Sequence, residues 1–412
     1  MIDLKRLREH PQETIDLIAK KDPSFNAQLL YELDQQIRTM THEVEELRHQ
    51  KNELARSAKQ GLTPEIREQS IQTGKQIDEK QTRINALEKE FSELYLSCPN
   101  LPDAHLPVGG KEANKVVSTW SEQPHFSFTP KNHVEIATAL GWIDFEAAAR
   151  MTGTNFALYK GEGVALLYRL VMFMLGHNSK YGYTPVLPPY LVTEKSLEVA
   201  SNFPKFKDQV YSVTADQLYL TPTAEVNLTN LYRDHIFSAD QLPVRMTSWT
   251  SCFRREAGGY GGQERGLIRI HQFEKVELYT ICEPAHAAQE HERMLACAES
   301  ILQQLGLHYR VSILAAQDCS FPSAKTYDIE VWLAGQKQYY EVSSVSNCTD
   351  FQARRGLIRY KKQQDSKTEL VYTLNGSSLA LSRLMVAILE NYQQPDGTVV
   401  LPEVLRNPVP TI

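Results

Sequence analysis

The sequence predicts an α+β fold: a body built on an antiparallel sheet flanked by helices, preceded by a long helical hairpin. Three observations carry that expectation. Residues 28–60 and 66–94 step apolar side chains by three and four, residues 253–279 read as two strands around a glycine-rich loop, and a proline-rich stretch separates the two patterns.

In the first arm the seam runs Leu30, Leu33, Ile37, Met40, Val44, Leu47 and Leu54, the heptad step of a coiled coil. Gly61, Leu62, Thr63 and Pro64 break it. It resumes with Ile66, Ile77, Ile84, Leu87, Phe91 and Leu94, so two helices fold back on each other as an antiparallel hairpin. At roughly 1.5 Å per residue over about 33 residues, each arm reaches on the order of 50 Å. Residues 1–100 hold 15 Lys/Arg against 18 Asp/Glu, yet from Arg48 to Arg83 there are eight (Arg48, Lys51, Arg56, Lys59, Arg67, Lys75, Lys80, Arg83) against five. A rod that is basic only in its distal half is suited to touch a polyanion, whereas a rod that merely dimerises needs no such bias. Pro99, Pro102 and Pro107 then end the second helix and mark a linker, dividing residues 1–100 from 101–412.

The composition, 42% hydrophobic and 23% charged, is that of a soluble protein. The longest apolar run, residues 164–175, is interrupted by Arg169 and too short to span a bilayer. The first residues are charged and lack an apolar signal segment, which predicts a cytoplasmic protein with no membrane partner. Six scattered cysteines without a C-x-x-C pair, and no H-E-x-x-H, argue against a zinc or disulfide framework. The net charge of −6 argues against a chain coated in nucleic acid but leaves room for a local basic patch.

Residues 253–279, FRREAGGYGGQERGLIRIHQFEKVELY, carry five glycines between Ala257 and Gly266. In the second strand a period of two puts Ile268, Ile270, Val276 and Leu278 on one face and Arg269, His271, Phe273 and Glu277 on the other. Arg254 and Glu256 alternate onto a common side of the first strand. A guanidinium, two carboxylates and an aromatic ring then converge, a set that suits a nucleotide: forked donors for phosphate, a flat face for a base and an acceptor for an ammonium or hydroxyl. A solvated hairpin with ordinary surface charges is the competing reading.

FRREAGG followed by RGLIRIHQFEKVELY resembles motif 2 of the class II aminoacyl-tRNA synthetases, in the form seen in seryl-tRNA synthetases. GYTPVLPPYLV at 182–192 resembles motif 1, with Pro189 closing a strand at a dimer interface, and LNGSSLALSR at 374–383 resembles motif 3. EVSS at 341–344 followed by SNCTDFQARR completes the likeness, which runs from the helical arm to VLPEVLRNPV. The resemblance implies a class II catalytic sheet and the ATP-dependent, Mg²⁺-assisted activation of L-serine, followed by transfer to tRNA(Ser), with tRNA(Sec) as a candidate further acceptor, by a homodimer. It implies catalytic roles for Arg254 and Arg383 and serine binding by Thr223, Ala224, Glu225, Glu277 and Ser377. ATP binding falls to Arg254, Arg255, Glu256, Ile270, Phe273, Glu341, Val342, Ser343, Ser344 and Arg383, with Glu341 and Ser344 holding Mg²⁺. It also implies that the arm grips the long variable arm and elbow of the tRNA. Read without the resemblance, Thr223 is a helix N-cap before an acidic first turn and Glu341 is a strand-end carboxylate. Ser378 and Ser382 stand where the family often has glycine, which bears on how closely backbone and ligand approach. Two alternatives stay open: a paralogue that loads a carrier protein, and a coiled-coil RNA-binding module without catalysis.

Overall fold

The structure, a computed structural model, describes residues 1–59, 61, 63–256, 266–363 and 365–406. Most of the glycine-rich loop, Leu62 in the predicted break and the last residues of the VLPEVLRNPV ending lie outside the described residues. The chain forms two compact units, Met1–Pro99 and Asn100–Ile412.

In the first unit, short helices Leu4–Glu9 and Pro11–Lys21 precede α1 (Ala27–Ala58) and α2 (Pro64–Leu96). Asn26 caps α1 by accepting from the Leu29 amide at 2.9 Å, and Thr63 caps α2 ahead of Pro64, whose missing donor costs nothing at a first helical position. Leu30, Leu33 and Val44 on α1 and Ile84 and Leu87 on α2 are buried along the expected seam. Between Ile66 and Ile77 the seam includes buried Thr73, whose hydroxyl donates back to the Gln69 carbonyl at 2.8 Å and so enters the interface satisfied. Arg8 clamps the base of α1 with a two-pronged bond to buried Asp34, at 2.8 and 2.6 Å.

The second unit is organised on an eight-stranded sheet. Its strands are β1 (Lys115–Trp120), β2 (Thr184–Pro185), β3 (Val244–Phe253), β4 (Gln272–Cys282), β5 (Tyr309–Ile313), β6 (Lys325–Leu333), β7 (Gln338–Asn347) and β8 (Tyr372–Ala380). They lie in the order β1-β5-β6-β7-β8-β4-β3-β2, antiparallel throughout except where β2 runs parallel to β3. Helices α3 (Glu162–Lys180), α4 (Ala224–Leu231), α5 (Ala287–Gln304), α6 (Phe351–Gly356) and α7 (Leu381–Asn391) surround it. One sheet face presents Val276, Leu278, Ile329 and Val345 to α3, α5 and α7, making the main core. On the opposite face Met246, Tyr279 and Ile281 pack under α4 with Ala224 and Leu228. Beside that smaller core the same face turns polar.

The hairpin departs from the expectation at its open end. β3 stops at Phe253 and β4 starts at Gln272, so Arg254 and Glu256 do not alternate on a strand, and Arg269, Ile270 and His271 precede β4 rather than belong to it. The flanks find other partners: after the Arg254 amide bonds the His271 carbonyl at 2.9 Å, the Arg255 amide donates to Gln209 and the His271 amide to Asn155. Glu256 adopts a left-handed backbone, φ +50°. Among the described residues, no helix is long and apolar enough to cross a membrane, and all six cysteines are buried and outside any disulfide.

Candidate active site

Strand register places the polar groups. Glu277 on β4 lies between Ser248 on β3 and Ser377 on β8, and Lys275 pairs with Thr250. Farther across, Asn375 pairs with Ser346, Thr326 with Ser346, and Asp328 with Ser344. Since cross-strand partners point to the same side, these residues form a polar field on the face opposite the main core.

Its deepest part is a triangle. The Thr223 hydroxyl donates to Glu277 Oε2 at 2.9 Å, Lys275 Nζ donates to Thr223 Oγ1 at 2.7 Å, and Lys275 Nζ closes on Glu277 Oε2 as an ion pair. Lys275 is 6% and Glu277 1% exposed, so this charge pair sits in a medium where an unmatched partner is costly. Thr223 belongs here because it caps α4, its Oγ1 also accepting the Glu225 amide at 3.2 Å. The cap and the site are one arrangement.

Glu225, on the first turn of α4, accepts from Gln352 Nε2 at 2.6 Å and Asn375 Nδ2 at 3.0 Å through a single oxygen, Oε1. Gln352 is fixed in turn by the Thr373 hydroxyl at 2.7 Å. Burial, reinforced by the nearby Glu277 charge, pushes the Glu225 carboxyl up to about 7. Ala224 is wholly buried in the smaller core, so its side chain is not among the groups that can meet a ligand.

Arg254 lies over Phe273, its guanidinium carbon 5.2 Å from the ring centroid, while Nε donates to the Pro222 carbonyl at 3.2 Å. Phe273 is two residues from Lys275 on the same side of β4 and is half-buried rather than exposed. Glu256 meets Arg269 at 2.9 Å, and Arg255 is exposed. Ile270 and Val342 point into the main core, which leaves their backbones as the groups able to flank a ligand. Ser343 Oγ donates to the Ser377 carbonyl, linking β7 to β8.

On the first turn of α7, Arg383 reaches β7: Nη1 donates to the Glu341 carbonyl at 2.9 Å and lies 3.2 Å from Glu341 Oε2, with the guanidinium 5.1 Å from the Tyr340 ring. Across the strand pair, Asp328 Oδ1 is buried with no hydrogen-bond partner among the described residues. Burial and the Glu341 charge together raise that carboxyl well above its ordinary range. Glu341, Ser344 and this orphaned oxygen make an oxygen-only donor set, which fits a hard divalent cation. Among the described residues no group of three or more His, Cys, Asp or Glu is arranged for a metal, so such an ion would need further oxygens from a ligand.

Ser378 does not line the polar field. Its hydroxyl donates to Asn178 Oδ1 on α3 at 3.1 Å, on the core side of β8, and Ser382 is likewise buried, at 4% exposure. Ser378 therefore occupies a core position that leaves the Ser377 side of the strand unobstructed.

Four residues of this site escaped the sequence reading: Lys275, Asn375, Gln352 and Asp328. The period of two on β4 places Lys275 with Phe273 and Glu277, so its signal was present. Asn375, Gln352 and Asp328 depend on register between strands far apart in sequence.

Known proteins share this architecture. A family model described as the seryl-tRNA synthetase N-terminal domain matches residues 1–102, and one described as the tRNA synthetase class II core domain (G, H, P, S and T) matches residues 206–392. The serine–tRNA ligase of Synechococcus elongatus is 45% identical over 419 residues, covering 98% of this chain and 97% of that protein. The crystal structure of seryl-tRNA synthetase from Pyrococcus horikoshii complexed with ATP superposes with a TM-score of 0.92 at 34% identity, covering 98% of this chain and 97% of that one. Cytoplasmic serine–tRNA ligase from Naegleria fowleri in complex with AMP gives a TM-score of 0.85 at 25% identity, over 98% and 96% of the two chains.

Proposed function

The chain belongs to the serine–tRNA ligase family of class II aminoacyl-tRNA synthetases, and from that premise we propose how its residues divide the work. The enzyme activates L-serine with ATP and transfers the seryl group to tRNA. In the first step the serine carboxylate attacks the α-phosphorus and pyrophosphate leaves. In the second, the terminal hydroxyl of tRNA(Ser) attacks the acyl carbon and AMP leaves. tRNA(Sec) is a second candidate acceptor.

Neither step needs a covalent nucleophile from the protein, so its contribution is position and charge. Adenine lies between Phe273 and the backbone at Ile270, with Glu256 accepting from its amino group. Arg254 and Arg255 meet the phosphate nearest the ribose, and Arg383 the terminal phosphates, flanked by backbone and hydroxyls of residues 341–344. Glu341 and Ser344, with Asp328 beside them, hold Mg²⁺, which when bound neutralises phosphate charge. Thr223, the Ala224 backbone, Glu225, Glu277 and Ser377 enclose serine. Alanine would leave buried polar partners of the hydroxyl unpaired, and such a site rejects an analogue by roughly 10⁴-fold or more without an editing domain.

Residues 1–99 are the tRNA-binding unit, and 100–412 the catalytic one. Arg67 and Lys75 are exposed on the basic half of α2, available to phosphate. Homodimerisation uses the surface around β2, where Leu187 is 70% and Leu191 43% exposed. Replacing Leu187 with Asp is expected to convert a dimer to monomers in light scattering; an unchanged mass would place the interface elsewhere.

The observation that carries the catalytic reading is the buried Thr223, Lys275 and Glu277 triangle beside the Arg254 and Phe273 pair. Glu277→Ala is expected to abolish serine-dependent ATP–pyrophosphate exchange, and near-normal exchange refutes the assignment.

A further inference from the structure

Among the described residues, the proposed serine pocket contains two carboxylates, Glu225 and Glu277, and one buried ammonium, Lys275, which is committed to Glu277 and Thr223. Incoming serine brings a second ammonium into the same desolvated space. With the serine carboxylate turned towards Arg254 and the ATP, the two ammonium groups are matched locally only if both carboxylates are ionised, whereas before serine arrives Lys275 matches one. We propose that Lys275 is a built-in countercharge to Glu277, so that the ammonium of bound serine is neutralised by Glu225, which surrenders a proton to solvent as serine binds.

The step is balanced: the Glu225 carboxylic acid and zwitterionic serine give a carboxylate, an ammonium ion pair and one proton released to buffer. Geometry singles out Glu225. Its Oε1 is saturated by Gln352 and Asn375, both neutral donors that can serve either protonation state. Glu277 Oε2, by contrast, is already engaged by a hydroxyl and an ammonium. The charged and titratable groups around Glu225 are Glu277, Lys275 and Tyr279 from β4, Arg254 beyond β3 and Cys348 after β7, the last bonded to Asn375. Burial and the Glu277 charge hold Glu225 at about 7, so the acid form is the resting form below neutrality. Lys275 is in this sense a positioning residue, touching the substrate's partners rather than the reacting atoms.

The inference rests on Glu225 and Glu277 lining the serine pocket, and the test separates the two claims. L-serine is titrated calorimetrically into the full-length protein at pH 6 and pH 8, in buffers of different ionisation enthalpy, which reports protons released per serine bound. With Glu225 at about 7, release is close to one proton at pH 6 and falls to near zero at pH 8, and serine binds about tenfold more weakly at pH 6. Glu225→Gln is expected to bind serine weakly, with no proton released and no difference between the two pH values. Serine binding without proton release at pH 6 in the unaltered protein, or the same release from Glu225→Gln, overturns the inference. If Glu277→Gln loses serine in that case, the pocket assignment itself stands. Normal serine binding by both Glu225→Gln and Glu277→Gln overturns the pocket as well. Should Glu225→Gln fail to fold, the proton count and pH dependence of the unaltered protein still decide.

Discussion

The helical arm and the polar face of the sheet both place charge deliberately, but in opposite surroundings. On the arm, Lys80 meets Glu43 at 2.6 Å with both side chains more than a third exposed, and Arg56 meets Glu53 at the protein surface. On the sheet, Lys275 and Glu277 are almost sealed from water. Water and salt screen the first kind of pair, so arm charges are free to be spent on a partner. The second kind organises a pocket, and removing either member leaves a stranded charge.

Deleting one member of the sealed pair has the largest expected effect. Lys275→Ala is expected to destabilise the catalytic unit by about 3–5 kcal/mol in denaturant titration, because Glu277 loses its countercharge. A loss below about 1 kcal/mol would mean that the pair is effectively solvated. Next in size is Arg383→Ala, which leaves the fold intact and lowers serine-dependent pyrophosphate exchange by about 10²–10³-fold, the usual effect of removing one preorganised donor. An unchanged exchange rate would take Arg383 out of the chemistry.

A pH series reads the sealed pocket directly. Glu225 has a folded value of about 7 against an ordinary 4.5, so between those values the folded protein holds a proton that the unfolded chain has released. Stability therefore falls as pH rises through that window, and Glu225→Gln should remove that part of the slope. Parallel slopes for the two proteins would show that Glu225 is not the group. At the bottom of the scale, Lys80→Ala on the arm is expected to change stability by less than about 1 kcal/mol, with the difference shrinking in high salt.

How far the sequence was legible follows the same division. The arm is periodic, and its seam from Leu30 to Leu94 was readable because local spacing alone decides which side chains face the partner helix. Thr73 was the exception, since a polar residue at a seam position is tolerated only through a backbone bond that no apolar pattern reveals. In the sheet, the parity of β4 brought Phe273 and Glu277 to one side correctly, and the Thr223 cap lies where the sequence placed it. The hairpin ends were misjudged because Asn155 and Gln209, distant in sequence, take the backbone groups at which pairing stops. Asn375 and Gln352 were invisible for a related reason. Their role exists only once β8 and α6 come together over Glu225.

In the proposed division of labour, a sealed pocket performs serine activation while an exposed basic rod selects the nucleic acid. This division is tested most directly by reversing Lys59, Arg67 and Lys75 together to glutamate and measuring pyrophosphate exchange and tRNA aminoacylation on the same preparation. Exchange close to the unaltered rate with aminoacylation lowered at least about tenfold is the expected result. Aminoacylation that persists undiminished would contradict it.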